Sequence, residues 1–245
     1  MHPQIAIIVL SYNGLNVTKK FLNDLYNNTE NFSIIMIDNG STDGTKEYLL
    51  DFAKNHHNML LTLNENNAGV INGRNQGYAI YKTMNNKPDL FMFLDNDQYV
   101  QKGWLEQHYD VMEHGAFDIV GVEAWLLNSV CFPVRQCKRP SDSFSYVGCG
   151  GMLIKSGVPE KIGMFDSSFN PCYFEDPDFC YRCRNEGFKI GWNYKPKLVH
   201  LAHQTLGLNR QRMENFKKSH AYFCSKWQKK NIKPIIQGVL PVLEN

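Results

Sequence analysis

Four short apolar runs in the first hundred residues, each closed by a polar turn, constrain this chain more than any other feature. Residues 5–10, 34–37, 59–63 and 90–94 are dominated by Ile, Val, Leu, Met and Phe, and they end in "SYNG", "DNGSTDG", "NENNAG" and "DND". Runs of this length without polar alternation read as strands covered on both faces. Helical spacing fills the gaps between them. Val17, Phe21 and Leu25 recur every four residues, and Gly73, Gly77, Ile80 and Met84 share one face of a second helix. Glycines on that face let a helix approach a sheet closely, at a cost in helix propensity. Ser41, Thr42 or Asp43 is available to cap the helix in between. Strands alternating with helices predict an α/β fold, a doubly wound and mostly parallel sheet, whose ligand site lies beyond the carboxyl ends of its strands. On that rule "SYNG", Asp38 and "DND" share one rim.

The rhythm loosens after Val100. A helix is expected over residues 103–113 and a strand over 118–122, followed by the irregular "CFPVRQCKRPSDSFSYVGCGG". No Pro-, Gly- or Ser-rich linker interrupts the chain, so the expectation is a single domain over 1–245. Within it, the expected divisions are residues 1–98, where strands and helices alternate, 99–208, where the rhythm is irregular, and 209–245, a helical tail. That tail carries Phe216, Tyr222, Phe223 and Trp227 beside a basic face with Arg210, Arg212, Lys217, Lys218, Lys226, Lys229 and Lys230. Such a face reads either as solvated surface or as a match for an anionic or membrane-borne acceptor.

Charge excludes little. Twenty-six Lys and Arg against 24 Asp and Glu give a net charge of +2, which neither argues for nucleic acid nor rules it out. Seven cysteines in a chain of 245 residues are odd in number and unnecessary as staples, so they read as reduced thiols. The start "MHPQIAIIVL" has no export signal, and no apolar run approaches the roughly 18 residues of a membrane span. The expected location is cytoplasmic or peripheral at a membrane, with no integral span.

"LDND" concentrates the chemistry. Asp95 and Asp97, continued along a strand, point to one side while Asn96 points away. Two carboxylates at one edge call for a positive partner, and a hard divalent cation such as Mg²⁺ or Mn²⁺ suits oxygen ligands and bridges substrate phosphates. An Asx turn that uses both carboxylates on the backbone is equally compatible with the spacing.

Six segments, "IAIIVLSYNG", "IIMIDNGSTDGT", "NNAGVINGRNQG", "FMFLDNDQYV", "GCGGMLIKSGVPEKIGMFD" and "YFEDPDFCYRCRNEGFKIGW", occur in the order and at about the spacing seen in family 2 glycosyltransferases of the GT-A fold. The resemblance runs from about residue 4 to 228. It implies that Ser11, Tyr12, Asn13 and Asp38 hold a nucleotide and that Arg74 reaches its base or phosphates. Physics agrees for Asp38, since a carboxylate accepts a pyrimidine imide N–H or ribose hydroxyls, and for Arg74, whose rigid fork of donors suits phosphate. "DND" resembles the family's DXD motif, which implies Asp95, Asn96 and Asp97 at the nucleotide-sugar and a divalent metal, Mn²⁺ or Mg²⁺, on Asp97 and Asp95. A histidine ligand is implied in "KLVHLAHQTLG", His200 first and His203 next. The family's acidic pair corresponds to Glu175 and Asp176, with Asp176 as the base that deprotonates an acceptor hydroxyl during inversion at the anomeric carbon. Local rules give Asp176 another job: Pro177 suits the first helical position, which would make Asp176 the helix N-cap. "VGCGG" corresponds to the family's small-residue segment near donor sugar and acceptor. Trp125, Trp192 and Tyr173 are candidate sugar platforms or simply core.

The implied partners are a nucleotide-sugar, UDP-linked by family habit, and a glycan, lipid-linked or other hydroxyl acceptor in surface polysaccharide or related glycan synthesis, with protein or nucleic acid still open. Three rival readings remain. Cys180, Cys183, His200 and His203 spell C-x2-C-x16-H-x2-H, but the histidine spacing is short for zinc and the cysteines fall on an expected helix. A dinucleotide oxidoreductase lacks its G-x-G-x-x-G where "SYNGLN" stands. A non-catalytic nucleotide-sugar binding module would share the fold, yet it has no need of Asp97, Glu175 and Asp176 together.

Overall fold

The computed structural model describes residues 3–200, 210–230 and 233–236. The first half alternates as expected: β1 (Ile5–Ser11), α1 (Leu15–Asn28), β2 (Phe32–Asp38), α2 (Thr45–Lys54), β3 (Met59–Leu63), α3 (Val70–Lys82) and β4 (Leu90–Asp95). The second half is more broken: β5 (Gln98–Val100), α4 (Trp104–His114), β6 (Ile119–Gly121), β7 (Ala124–Leu127), β8 (Pro133–Gln136), β9 (Ser143–Phe144), β10 (Tyr146–Val147) and β11 (Met152–Lys155). It closes with α5 (Gly157–Ile162), α6 (Glu175–Asn185), β12 (Ile190–Trp192), β13 (Leu198–His200), α7 (Arg210–Trp227) and β14 (Ile235–Ile236).

Seven strands form the main sheet in the order β12-β6-β11-β4-β1-β2-β3. β11 runs antiparallel to both its neighbours and the other pairings are parallel. Both halves of the chain therefore contribute to one sheet. Period two sorts the side chains: Ala6, Ile8, Ile35, Ile37, Phe91 and Phe93 enter one core cluster, while Ile5, Ile7, Val9, Ile34, Met36, Met92 and Leu94 enter the other. Strands covered on both faces need no polar alternation, which is why these runs are continuously apolar.

α3 lies close on β1, as its glycine face predicts. A Cβ on Gly77 would come within 2.3 Å of the Ile8 side chain, and one on Gly73 within 2.5 Å of Leu10. Met84 packs against the core, although it lies beyond the end of α3. Register then fixes the rim. Ser11 sits beside Asp38, and Leu10 beside Asp95, so the carboxyl ends of β1, β2 and β4 are level.

Three expectations about local structure need correction. The helix after the acidic pair starts at Glu175, with Phe174 in the cap position, so Asp176 is its second residue rather than its N-cap. Tyr173 and Phe174 both adopt left-handed backbone (φ 78° and 67°), which turns the chain into the helix two residues early. Residues 96 and 97 form a turn instead of prolonging β4, because the Asn96 amide is drawn inward to Ser11 and Thr18. Finally, Gly44 stands at the α2 cap position; Asp43 still serves that helix start by accepting from the Thr45 amide and hydroxyl.

Candidate active site

At the rim, the turn after β4 and the end of β13 bring three ligand-bearing groups together. Oxygens of Asp95 and Asp97 and a ring nitrogen of His200 lie within 4.8 Å of one another. His200 Nε2 is 3.2 Å from Asp97 Oδ1 and 4.0 Å from Asp95 Oδ2. β13 delivers His200 by pairing with β5, where His200 faces Gln98 across the ladder. The two carboxylates share one side although the backbone turns between them, because Asn96 is held inward by hydrogen bonds of 2.9 Å to Thr18 and 3.3 Å to Ser11.

Oxygen, oxygen and imidazole at these separations fit a six-coordinate divalent ion, whose adjacent ligands lie about 3 Å apart. Glu123, in the bend between β6 and β7, accepts from the other ring nitrogen of His200 at 3.2 Å. Trp125 also donates to Glu123. A carboxylate behind a ligating imidazole fixes its ring orientation. Burial works against a charge on His200, but hydrogen bonds to Asp97 and Glu123 prevail and push its pKa up to about 10.

Two adjoining cavities meet here. The smaller, about 270 Å³, is bounded by Tyr12, Asn39, Asn67, Asn96 and Asp97 among others. The larger, about 420 Å³, reaches Glu123, Trp125, Tyr146, Glu175 and Asp176. Val70, Arg74, Asp95, His200 and Arg212 line both, so the acidic cluster stands in the wall between them. Gly150, from "VGCGG", abuts this wall: a Cβ there would fall 2.5 Å from Asp95 Oδ2.

Arg74 ties the rim to α6. Its guanidinium donates to Asp95 at 2.7 Å and to Glu175 at 3.2 Å, spanning 101 residues of sequence. Glu175 is buried, and its second oxygen has no partner; Oδ1 of Asp176 is likewise buried and unpartnered. Burial first, then repulsion from Glu175, raises the Asp176 pKa well above the carboxylate range, against the opposing pull of Arg74 and the Cys149 amide. Burial raises Glu175 too, with Arg74 opposing. Asp178 stands apart from this pair. It bonds Arg182, Lys226 and Trp227, each at 2.8 Å, and so anchors α7 to α6.

The remaining predicted residues divide by how their side chains are used. Tyr12 lines the smaller cavity. Ser11 is fully buried, its hydroxyl 3.0 Å from that of Thr18. Asn13 (φ 44°) binds Ser41 and Thr42, joining the β1 and β2 loops. Asp38 accepts from the Ser41 amide through one oxygen, and its other oxygen is buried without a partner. Trp192 belongs to the core, whereas Trp125 and Tyr173 line the larger cavity. His203 lies outside the described residues. Cys180 and Cys183 are fully buried in the core, so they do not join His200 in a zinc set.

Sequence reasoning missed Glu123, Asn39 and Asn67. Asn39 bonds Asn64, Asn67, the Ala68 amide and the Gly69 carbonyl, a network that fixes the loop before α3. The run of asparagines at 64, 66 and 67 was the available signal; Glu123 carried none.

A family model described as "Glycosyl transferase family 2" matches residues 6–211. The chain belongs to that family. As a family 2 member it is similar to the glycosyltransferase AglE of Haloferax volcanii, 27% identical over 168 residues, covering 66% of this chain and 52% of that protein. It is also similar to the glycosyltransferase GlyA of Streptococcus pneumoniae, 30% identical over 121 residues, 48% of this chain and 16% of that one. The chain thus spans about half the length of the first relative and a small part of the second. Among solved structures, the mannosyltransferase PcManGT of Pyrobaculum calidifontis, in complex with GDP-Man and Mn²⁺, superposes with a TM-score of 0.60 at 16% identity, over 79% of this chain and 55% of that one. S. aureus TarS 1–349 in complex with UDP-GlcNAc gives 0.60 at 17% identity, over 83% and 62%. These neighbours establish the GT-A fold. No helix among the described residues is long and apolar enough to cross a membrane.

Proposed function

We propose that the chain is an inverting glycosyltransferase that moves a sugar from a nucleotide diphosphate, UDP by preference, to an acceptor hydroxyl in glycan or surface polysaccharide synthesis. One observation carries this reading: Asp176, which keeps a buried carboxylate oxygen without a partner, lines the same cavity as Asp95 and His200 of the cation cluster. A cation site and a candidate base therefore flank one space. Neighbours crystallised with GDP-Man and Mn²⁺ or with UDP-GlcNAc support the donor class.

In this reading the smaller cavity takes the nucleotide, with Tyr12, Asn39 and Asn67 around it and Asp38 beneath. Asp95, Asp97 and His200 would hold Mn²⁺ or Mg²⁺, beside the donor's diphosphate. A cation there supplies positive charge to the departing diphosphate oxygen. Arg74 keeps Asp95 and Glu175 in register and adds a second positive charge beside the leaving group. In the larger cavity Asp176 accepts the acceptor's hydroxyl proton while that oxygen attacks the anomeric carbon from the face opposite the diphosphate. Glu175 orients the acceptor. Burial favours the protonated form of Asp176, so the rate should climb as pH rises and the base ionises. The domain halves at 1–98 and 99–208 correspond to donor and acceptor sides, and the location is cytoplasmic or at a membrane surface.

Purified protein incubated with UDP-, GDP- and dTDP-sugars, with and without Mn²⁺, tests the reading through nucleotide diphosphate release. Cation-dependent release from one donor supports it. Tight donor binding with no release under any acceptor would point instead to a binding module.

A further inference from the structure

Beyond the acidic cluster, the larger cavity opens into a groove of about 550 Å³ lined by Phe132, Tyr173, Met213 and Phe216, with Arg212 and Lys217 at its edge. Tyr173, Arg212 and Phe216 line both spaces, so groove and cavity adjoin. The hairpin residues Phe132, Val130 and Val134 are 46%, 52% and 53% exposed, and Met213 on α7 is 56% exposed. Isolated exposed apolar side chains are ordinary, but a cluster of them around a groove marks a binding surface.

The chemistry of the walls selects the occupant. Two of the neutral polar groups at the groove are engaged: the Tyr173 hydroxyl accepts from Arg212 at 2.9 Å, and His220 contacts the Val130 carbonyl at 2.9 Å. A sugar buried here would lose hydrogen bonds to water without regaining them, whereas a hydrocarbon loses nothing. Charge at the edge is positive. Arg212 and Lys217 face it, and Glu214 on the same helix is engaged by Arg210 at 3.0 Å. We infer that this groove holds the hydrocarbon chain of an amphiphilic acceptor whose anionic group sits by Arg212 and Lys217, leaving its hydroxyl end to reach the Asp176 cavity. The inference rests on the reading of that cavity as the acceptor side.

Calorimetric titration with monomeric n-decyl phosphate and with methyl phosphate separates chain from anion. Decyl phosphate should bind more than about tenfold tighter, since each buried methylene adds favourable transfer free energy. Met213→Glu and Phe132→Ser, both at exposed positions, should abolish that advantage, with thermal melts reporting that each variant is folded. Equal affinity for the two phosphates, or an advantage that survives both substitutions, would overturn the proposal. So would a dimer in solution that Met213→Glu dissociates while decyl phosphate fails to bind, since a second copy would then cover the groove. Co-sedimentation with phosphatidylglycerol vesicles without saturable decyl phosphate binding would also overturn it, in favour of a bilayer surface. UDP binding with Mn²⁺ on the same preparation judges the donor reading separately: decyl phosphate binding without nucleotide binding would keep the groove and remove the transfer reaction.

Discussion

The two sides of the cleft are built differently. On the side of β1, β2 and β4, polar groups are held by strand ends and interlocked asparagines: Asn39 alone has four partners, and Asn96 is clamped between two hydroxyls. On the side of α6 and α7, Glu175 and Asp176 keep unpartnered oxygens, Tyr173 and Phe174 sit in left-handed backbone, and the surroundings are aromatic. Left-handed conformations in bulky residues cost on the order of 1–3 kcal/mol each and persist only where the surrounding structure enforces them. Here Phe174 packs against Phe216 and Phe223 of α7, so the helix that borders the groove also holds the strained turn before the acidic pair. One side has its polar groups interlocked, and the other keeps carboxylate oxygens without partners, which suits the donor and base roles proposed for them.

The comparison breaks first at Asp176. Asp176→Asn keeps the shape but cannot accept a proton, so transfer should fall by roughly 10²–10⁴-fold, the usual worth of a general base, while nucleotide binding in Mn²⁺ stays near wild type. Steady-state transfer and nucleotide titration measured together would sink the assignment if the Asn variant turned over normally. The same substitution sharpens the contrast in stability. A carboxylate whose folded pKa is raised contributes stability that is present below its unfolded pKa and is lost as pH rises through the folded one. Melting temperatures of wild type should therefore decline relative to Asp176→Asn as pH rises from about 4, the unfolded carboxylate range; parallel curves would mean that Asp176 is not held protonated.

Next comes the support behind the histidine. Glu123→Ala removes the acceptor that orients His200, and Mn²⁺ affinity should drop about 10–100-fold, with nucleotide affinity in the absence of metal unchanged. Unaltered Mn²⁺ affinity would reduce Glu123 to a bystander. The smallest effect is expected in the scaffold that both sides share. Gly77→Ala would force a methyl group into Ile8, at a cost of about 1–3 kcal/mol of overpacking, visible as a lower midpoint in urea.

How much of this was legible depended on whether a local rule governed the residue. Strand ends obey one: an apolar run that stops at Asp38 or Asp95 announces both the sheet and its rim, and register did the rest. The close seat of α3 was written in Gly73 and Gly77. Asp176 shows the limit. Pro177 pointed to a helix start at the wrong residue, because the turn that sets it is made by Tyr173 and Phe174, two residues with no intrinsic preference for left-handed backbone. The Arg74 bridge from Asp95 to Glu175 and the Glu123 contact with His200 join residues 77 to 101 apart in sequence, at least on their longer arms, and no local pattern encodes them. α7 read as a basic face, yet Lys226 and Trp227 are engaged with Asp178, two residues past the acidic pair on α6.

The central claim is that Asp95, Asp97 and His200 hold a divalent cation against a diphosphate. Paramagnetic resonance of Mn²⁺ titrated into the protein, with and without UDP, tests it most directly. The account predicts one bound ion per chain, tighter binding with UDP present, and loss of that binding in both Asp97→Ala and His200→Ala. Mn²⁺ that remains free in solution, or binds both variants as it binds wild type, would contradict it.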